Sequence, residues 1–157
     1  MPNPILCLDA GNSRLKCGLF DGKRWRMQGA LDYDAFDDLV AELSAAPARI
    51  VACNVAGDAV RQRIEALAAR LGCPLDWLTS SASACGVRNA YDNPAQLGAD
   101  RWAALIGARS LHAGPAVVVM AGTATTVDAL DGDGRFRGGL ILPGLALMRA
   151  ALARNTA

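Results

Sequence analysis

Hydrophobic residues in this chain come in short unbroken runs that alternate with amphipathic stretches of helical period. Ile5-Leu6-Cys7-Leu8 is continuous, apolar and bounded by turn residues, which predicts a buried strand, and Leu15–Phe20 predicts the strand returning from it. Residues 24–30, after the Asp21-Gly22 turn, read as a third and more exposed strand. Asp34 is placed to cap a helix over 34–44, with Phe36, Leu39, Val40 and Leu43 on one stripe. Residues 49–53 form a short apolar strand. Asp58–Leu71 predicts a second amphipathic helix, with Val60, Ile64, Leu67 and Leu71 on one face and Gly72 closing it. A short strand follows at 75–78. Residues 80–96 show no period and read as a long loop, then 102–111 as a helix with Trp102, like Trp77 before it, in the core. The last part predicts strands at 116–120, 123–130 and 135–142, the Asp131-Gly132-Asp133-Gly134 turn, and a helix over 145–153. This order is an α/β layer pattern, neither a bundle nor a sandwich.

Two of the turns carry chemistry. The first strand delivers Asp9-Ala10-Gly11-Asn12-Ser13-Arg14-Leu15-Lys16, which places a carboxylate, a glycine, an amide, a hydroxyl and an ammonium within eight positions. Gly11 permits positive φ or close ligand approach. Backbone N–H groups in such a turn can converge on an anion, and Asp9 can hold a metal that neutralises phosphate charge. A plain hairpin with a polar tip explains this run equally well by itself. The second run, Val117-Val118-Val119-Met120, again delivers a glycine and hydroxyls in Ala121-Gly122-Thr123-Ala124-Thr125-Thr126-Val127-Asp128. Two strand–glycine–strand units suggest two related halves facing a cleft, the way actin-like and sugar-kinase ATPases grip phosphates; that step is fold analogy.

Composition narrows the classes. The 157 residues carry a formal net charge of +1 and are 52% hydrophobic, so the chain can bury a core and has no electrostatic footprint for nucleic acid or an anionic membrane. No segment approaches the roughly 18 to 20 uninterrupted apolar residues of a membrane span, and no secretory signal is expected at the N-terminus. Five scattered cysteines without a C-x-x-C pair point to a reduced, cytosolic protein. No Walker loop occurs, and His112, the single histidine, has no partners for a hydrolase triad. Asp100 and Arg101 fall in the first turn of the helix after the long loop. The plain readings are a dipole-favoured helix-start carboxylate and a surface charge; the chemical reading is a base beside an anion clamp.

Four motifs in order along the chain bear on that choice: Asp9-Ala10-Gly11-Asn12-Ser13 with Lys16, Gly98-Ala99-Asp100-Arg101, Gly122-Thr123-Ala124-Thr125-Thr126-Val127-Asp128, and Gly138-Gly139 with Pro143-Gly144. Together they resemble the type III pantothenate kinases, or Bvg accessory factor family, of the actin, sugar-kinase and heat-shock ATPase superfamily. The resemblance implies a ribonuclease H-like (actin-like ATPase) α/β fold of two related domains around a cleft, residues 1–115 and 116–157, the second truncated. It implies transfer of the ATP γ-phosphate to pantothenate to give 4'-phosphopantothenate, the first step of coenzyme A biosynthesis. Carried over by residue, Asp9 organises Mg²⁺, while Gly11, Asn12, Ser13 and Lys16 cradle phosphate. Gly122, Thr123, Ala124 and Thr125 form the second phosphate hairpin, and Gly138, Gly139 and Gly144 approach the adenosine. Tyr91, Gly98 and Ala99 line the pantothenate pocket, Asp100 takes the proton from the attacking hydroxyl, and Arg101 holds the pantothenate carboxylate.

The family resemblance also implies a cytoplasmic homodimer that uses a monovalent cation, K⁺ or NH₄⁺. Met120 departs from the pattern, because many members have an Asp immediately before the second Ala-Gly-Thr. A thioether is no ligand for a hard cation, which puts that site in doubt, and Asp128 is not expected to replace it. Two alternatives stand beside this reading. One is a related small-molecule kinase of the superfamily, against which Tyr91 and Gly98-Ala99-Asp100-Arg101 speak. The other is a non-catalytic regulatory protein of the same fold, for which Met120 and the short second half speak. Three strands with one following helix also predict an exposed apolar face, with the isolated chain dimeric through it or poorly soluble, and inactive.

Overall fold

A computed structural model describes residues 4–155, which form two compact units divided between Leu78 and Thr79. In the first unit, β1 (Ile5–Ala10), β2 (Leu15–Phe20) and β3 (Trp25–Leu31) make an antiparallel meander. β4 (Arg49–Asn54) then adds to the other side of β1 in parallel, and β5 (Leu75–Trp77) adds to β4, giving the order β3-β2-β1-β4-β5. Between β4 and β5 runs α2 (Asp58–Leu71), the crossover helix that a parallel pair requires. It ends where expected, at Gly72 with φ +63, a left-handed residue whose N–H bonds back to the last turn. Leu6, Leu8, Ala10, Leu15, Leu19, Ile50, Ile64 and Leu67 form one continuous core with Phe36 and Leu39.

The helix expected over 34–44 is a 3₁₀ turn, Tyr33–Asp38, followed by the single α-turn α1 (Leu39–Glu42). Asp34 lies inside the turn rather than at its N-cap; Asp32 holds the N-cap position without a side-chain capping bond. Four aspartates in seven residues favour local non-helical hydrogen bonding, and burial of Phe36 and Leu39 anchors the short segment instead.

The second unit holds a sheet of order β6-β7-β10-β9-β8. Its main part is the antiparallel meander β8 (Ala116–Ala121), β9 (Ala124–Leu130) and β10 (Arg135–Pro143), with a bulge between Phe136 and Gly138 where Gly138 adopts φ +116. The 80–96 segment is more ordered than its sequence suggests. It contains β6 (Ser83–Ala84), β7 (Val87–Asn89) and a 3₁₀ turn (Pro94–Gln96). Cys85 and Gly86, both at positive φ, form the two-residue turn between these strands. Strands of two and three residues are too short to show alternation, and β7 is held by parallel pairing to β10. α3 (Ala99–Leu111) buries Trp102 and Leu105 against this sheet, and α4 (Leu145–Asn155) follows β10. Residues 79–115, grouped above with the N-terminal half, therefore pack with the C-terminal strands, because α3 and β7 have their partners there.

Candidate active site

The first glycine turn projects from a row of three register-matched residues. Asp9 on β1 lies opposite Lys16 on β2 and opposite Cys53 on β4. Residues paired across strands share a face, so their side chains meet. Lys16 Nζ donates to Asp9 Oδ2 at 2.9 Å, and Cys53 Sγ donates to Asp9 Oδ1 at 3.3 Å. The Lys16 side chain is 59% exposed and that of Asp9 29% exposed, so the pair lies within reach of an incoming anion or metal. A half-exposed carboxylate oxygen suits Mg²⁺, which needs only one or two protein carboxylates beside phosphate and water.

Gly11 behaves differently from expectation. Its N–H is engaged inside the hairpin by Arg14 O at 3.1 Å and Asp9 O at 3.2 Å. Its φ is not left-handed, and an added Cβ would meet only Arg14 O at 3.4 Å. Anion contacts from this turn would have to come from the exposed Asn12–Arg14 tip. Tyr33, which the sequence did not single out, stiffens the turn by donating its hydroxyl to Gly11 O. Burial, and then the Asp9 charge, raise the Tyr33 pKa and keep the phenol a donor. Tyr33 and Cys53 reach the site across 22 and 44 residues, a distance that no local pattern reports.

In the second unit, Gly98 holds the N-cap of α3 and Ala99 starts the helix, placing Asp100 and Arg101 in its first turn. Asp100 is half-buried and accepts a bond from the Arg101 N–H at 2.8 Å. Arg101 is no surface charge. Its side chain is 7% exposed and forks onto the fully buried Asp128 of β9: Nε donates to Oδ2 at 3.1 Å and Nη2 donates to Oδ1. The Asp128 hydrogen bonds raise the Arg101 pKa against the opposing effect of burial, and Tyr91 adds to the rise. The guanidinium lies 5.8 Å from the Phe136 ring centre, and Tyr91 packs on that same ring at 5.2 Å. Tyr91, Arg101, Asp128 and Phe136 thus form one cluster.

Gly139 and Gly144 of the second unit are explained by close approach. Gly139 lies opposite Asp128, and a Cβ on it would fall 2.0 Å from Asp128 Oδ1 and 2.8 Å from Arg101 Nη2. Gly144 donates its N–H to Thr123 O at 2.9 Å, and a Cβ there would meet Gly122 O at 2.0 Å. Gly139 therefore borders the Arg101 cluster, and Gly144 braces the Gly122–Ala124 turn, which is closed by Gly122 N–H to Ala124 O at 3.0 Å. Thr125 follows on β9, opposite Ala121 of β8 and Leu142 of β10. Met120 stands opposite Thr126, whose Oγ1 is buried with no hydrogen-bond partner among the described residues. With Met120 a thioether and Asp128 committed to Arg101, neither residue fits a hard monovalent cation. Among the described residues, no cluster of three acidic, Cys or His side chains has metal-site spacing, and no helix is long and apolar enough to cross a membrane.

Solved structures with this architecture are distant in sequence. The ethanolamine utilization protein EutJ from Carboxydothermus hydrogenoformans superposes with a TM-score of 0.53 at 15% identity, over 99% of this chain and 59% of that one. A Ppx/GppA phosphatase from Aquifex aeolicus superposes with a TM-score of 0.50 at 13% identity, over 95% and 55%. They establish the actin-like ATPase fold alone. Curated relatives are far closer. A type III pantothenate kinase of Aromatoleum aromaticum is 54% identical over 98% of this chain and 64% of its own length, and one of Azoarcus sp. (strain BH72) is 50% identical over 97% and 59%. The chain spans about three-fifths of the length of these relatives. A family model described as type III pantothenate kinase matches residues 5–157, and the chain belongs to that family.

Proposed function

We propose that the protein containing this chain transfers the γ-phosphoryl group of ATP to the hydroxyl of pantothenate, with Asp100 as the general base. The observation that carries the reading is the placement of Asp100: a half-buried carboxylate in the first turn of α3, bonded to its neighbour's N–H and adjacent to a cluster built on Arg101 and Tyr91. The pantothenate hydroxyl attacks the γ-phosphorus, the bond to the β–γ bridging oxygen breaks, ADP leaves, and the hydroxyl proton passes to Asp100.

Other roles follow by position. Lys16 and the Asn12–Ser13 tip bind phosphate oxygens in the first unit. Gly122, Thr123, Ala124 and Thr125, braced by Gly144, do so in the second, with Gly138 and Gly139 toward the adenosine. Arg101, beside Tyr91, Gly98 and Ala99, takes the pantothenate carboxylate. Asp9 holds Mg²⁺, which when bound neutralises phosphate charge. Met120 and the engaged Asp128 speak against a potassium or ammonium site on these residues. A cytoplasmic homodimer is the assembly proposed, supported by the five free cysteines and the family membership. The test is ATP-dependent phosphorylation of pantothenate by the full-length protein with Mg²⁺. Turnover with other small alcohols but not with pantothenate would sink the assignment.

A further inference from the structure

We infer that Asp128 is a positioning residue for substrate selection: it grips one edge of the Arg101 guanidinium so that the other edge is presented to the substrate carboxylate. The inference rests on the functional reading above and adds a residue outside the substrate-binding set. A guanidinium has two edges able to fork onto a carboxylate, Nε–Nη2 and Nη1–Nη2. Asp128 occupies the first with both oxygens. Nη1 and the second Nη2 hydrogen make the other edge, in the same plane and at a fixed angle to the occupied one, and Tyr91 also interacts with the guanidinium.

Burial makes this arrangement necessary. An arginine with its side chain 7% exposed cannot await an anionic substrate uncompensated, because an unpaired buried charge is costly. Asp128, itself fully buried, neutralises it beforehand, and the Phe136 ring walls one side of the cluster. Gly139 completes the device, since any side chain at that position would press on the Asp128 carboxylate, the Nη2 group and the Val127 carbonyl together. Three residues distant in sequence thus serve one orientation.

The experiment compares full-length wild type, Asp128→Asn and Gly139→Ala on two acceptors: pantothenate and its primary amide, which lacks the charge. Both variants should raise KM for pantothenate about tenfold or more, the usual scale for a misplaced charge-assisted fork, and in Asp128→Asn kcat and KM for ATP should stay within about threefold. KM for the amide should barely move, so selectivity for the acid collapses. Circular dichroism verifies folding of both variants, and ATP affinity that of Asp128→Asn. Asp128→Glu, keeping the charge, should recover part of the selectivity. Equal losses on acid and amide, or an unchanged or improved KM for pantothenate, would overturn the inference. So would failure of both Asp128→Asn and Gly139→Ala to fold, which would make the pair a folding element. A wild type inactive on pantothenate defeats the functional reading and this inference together, whereas an active wild type with unaltered selectivity in the variants defeats only the inference.

Discussion

The strands that open the two meanders, β1 and β8, are alike in sequence terms and opposite in environment. Each has six residues, each runs into a glycine turn, and each begins an antiparallel three-strand meander. Leu6 and Leu8 of β1 correspond by position to Val117 and Val119 of β8. The leucines are at most 3% exposed, while the valines are 68% and 59% exposed. The difference lies in what surrounds them. β1 is central, flanked by β2 and by parallel β4, with α2 contributing to the core; β8 is the edge of its sheet among the described residues. Leu140, Ile141 and Leu142 of β10 and Leu145 of α4 are likewise exposed. Apolar patterning states what a strand can bury, and neighbours decide whether it does. The polar groups are inverted too. The first unit places its Asp9–Lys16 pair near solvent, whereas the second buries Arg101, Asp128 and Thr126.

Substitutions at matched positions test this contrast, and the largest effect concerns chemistry. Asp100→Asn in the full-length protein should lower kcat about 10²- to 10⁴-fold with substrate binding retained, the usual worth of positioned proton transfer. A kcat within threefold of wild type removes Asp100 from the role of base. Next come the ion pairs. Arg101→Met strands a buried carboxylate and should cost about 3–5 kcal/mol in urea unfolding, against about 0–1 kcal/mol for Lys16→Met at the exposed pair. Equal costs would dissolve the distinction between the two regions.

The core comparison is Leu6→Ala against Val117→Ala. The first should cost about 2–5 kcal/mol by cavity formation, and the second, in residues 1–157 alone, within about 0.5 kcal/mol. A loss above 1 kcal/mol at Val117 that grows with protein concentration would reveal that self-association covers β8. The smallest effect is ionic. Turnover should change little between potassium-free and potassium-rich buffers of equal ionic strength, because Met120 offers no hard ligand. A tenfold rise would contradict that, and Met120→Asp would then show whether the dependence increases.

Local chemistry sufficed for much of this protein. Strand runs, the Gly72 helix stop, the two glycine turns and the placement of Asp100 in a helix's first turn all follow from periodicity and backbone preference, which act over a few residues. The four ordered motifs carried the family. Tertiary structure alone decided the rest. The Asp-rich 33–42 segment became a 3₁₀ turn followed by a single α-turn because packing of Phe36 and Leu39 outweighed weak helix propensity. The 80–96 stretch acquired strands because β10 offered an edge to β7. Arg101, readable from sequence as a surface charge or a free anion clamp, is a buried residue with one edge occupied, since its partner Asp128 is 27 residues away. Such pairings depend on register between strands and helices, a long-range quantity that no window of sequence contains.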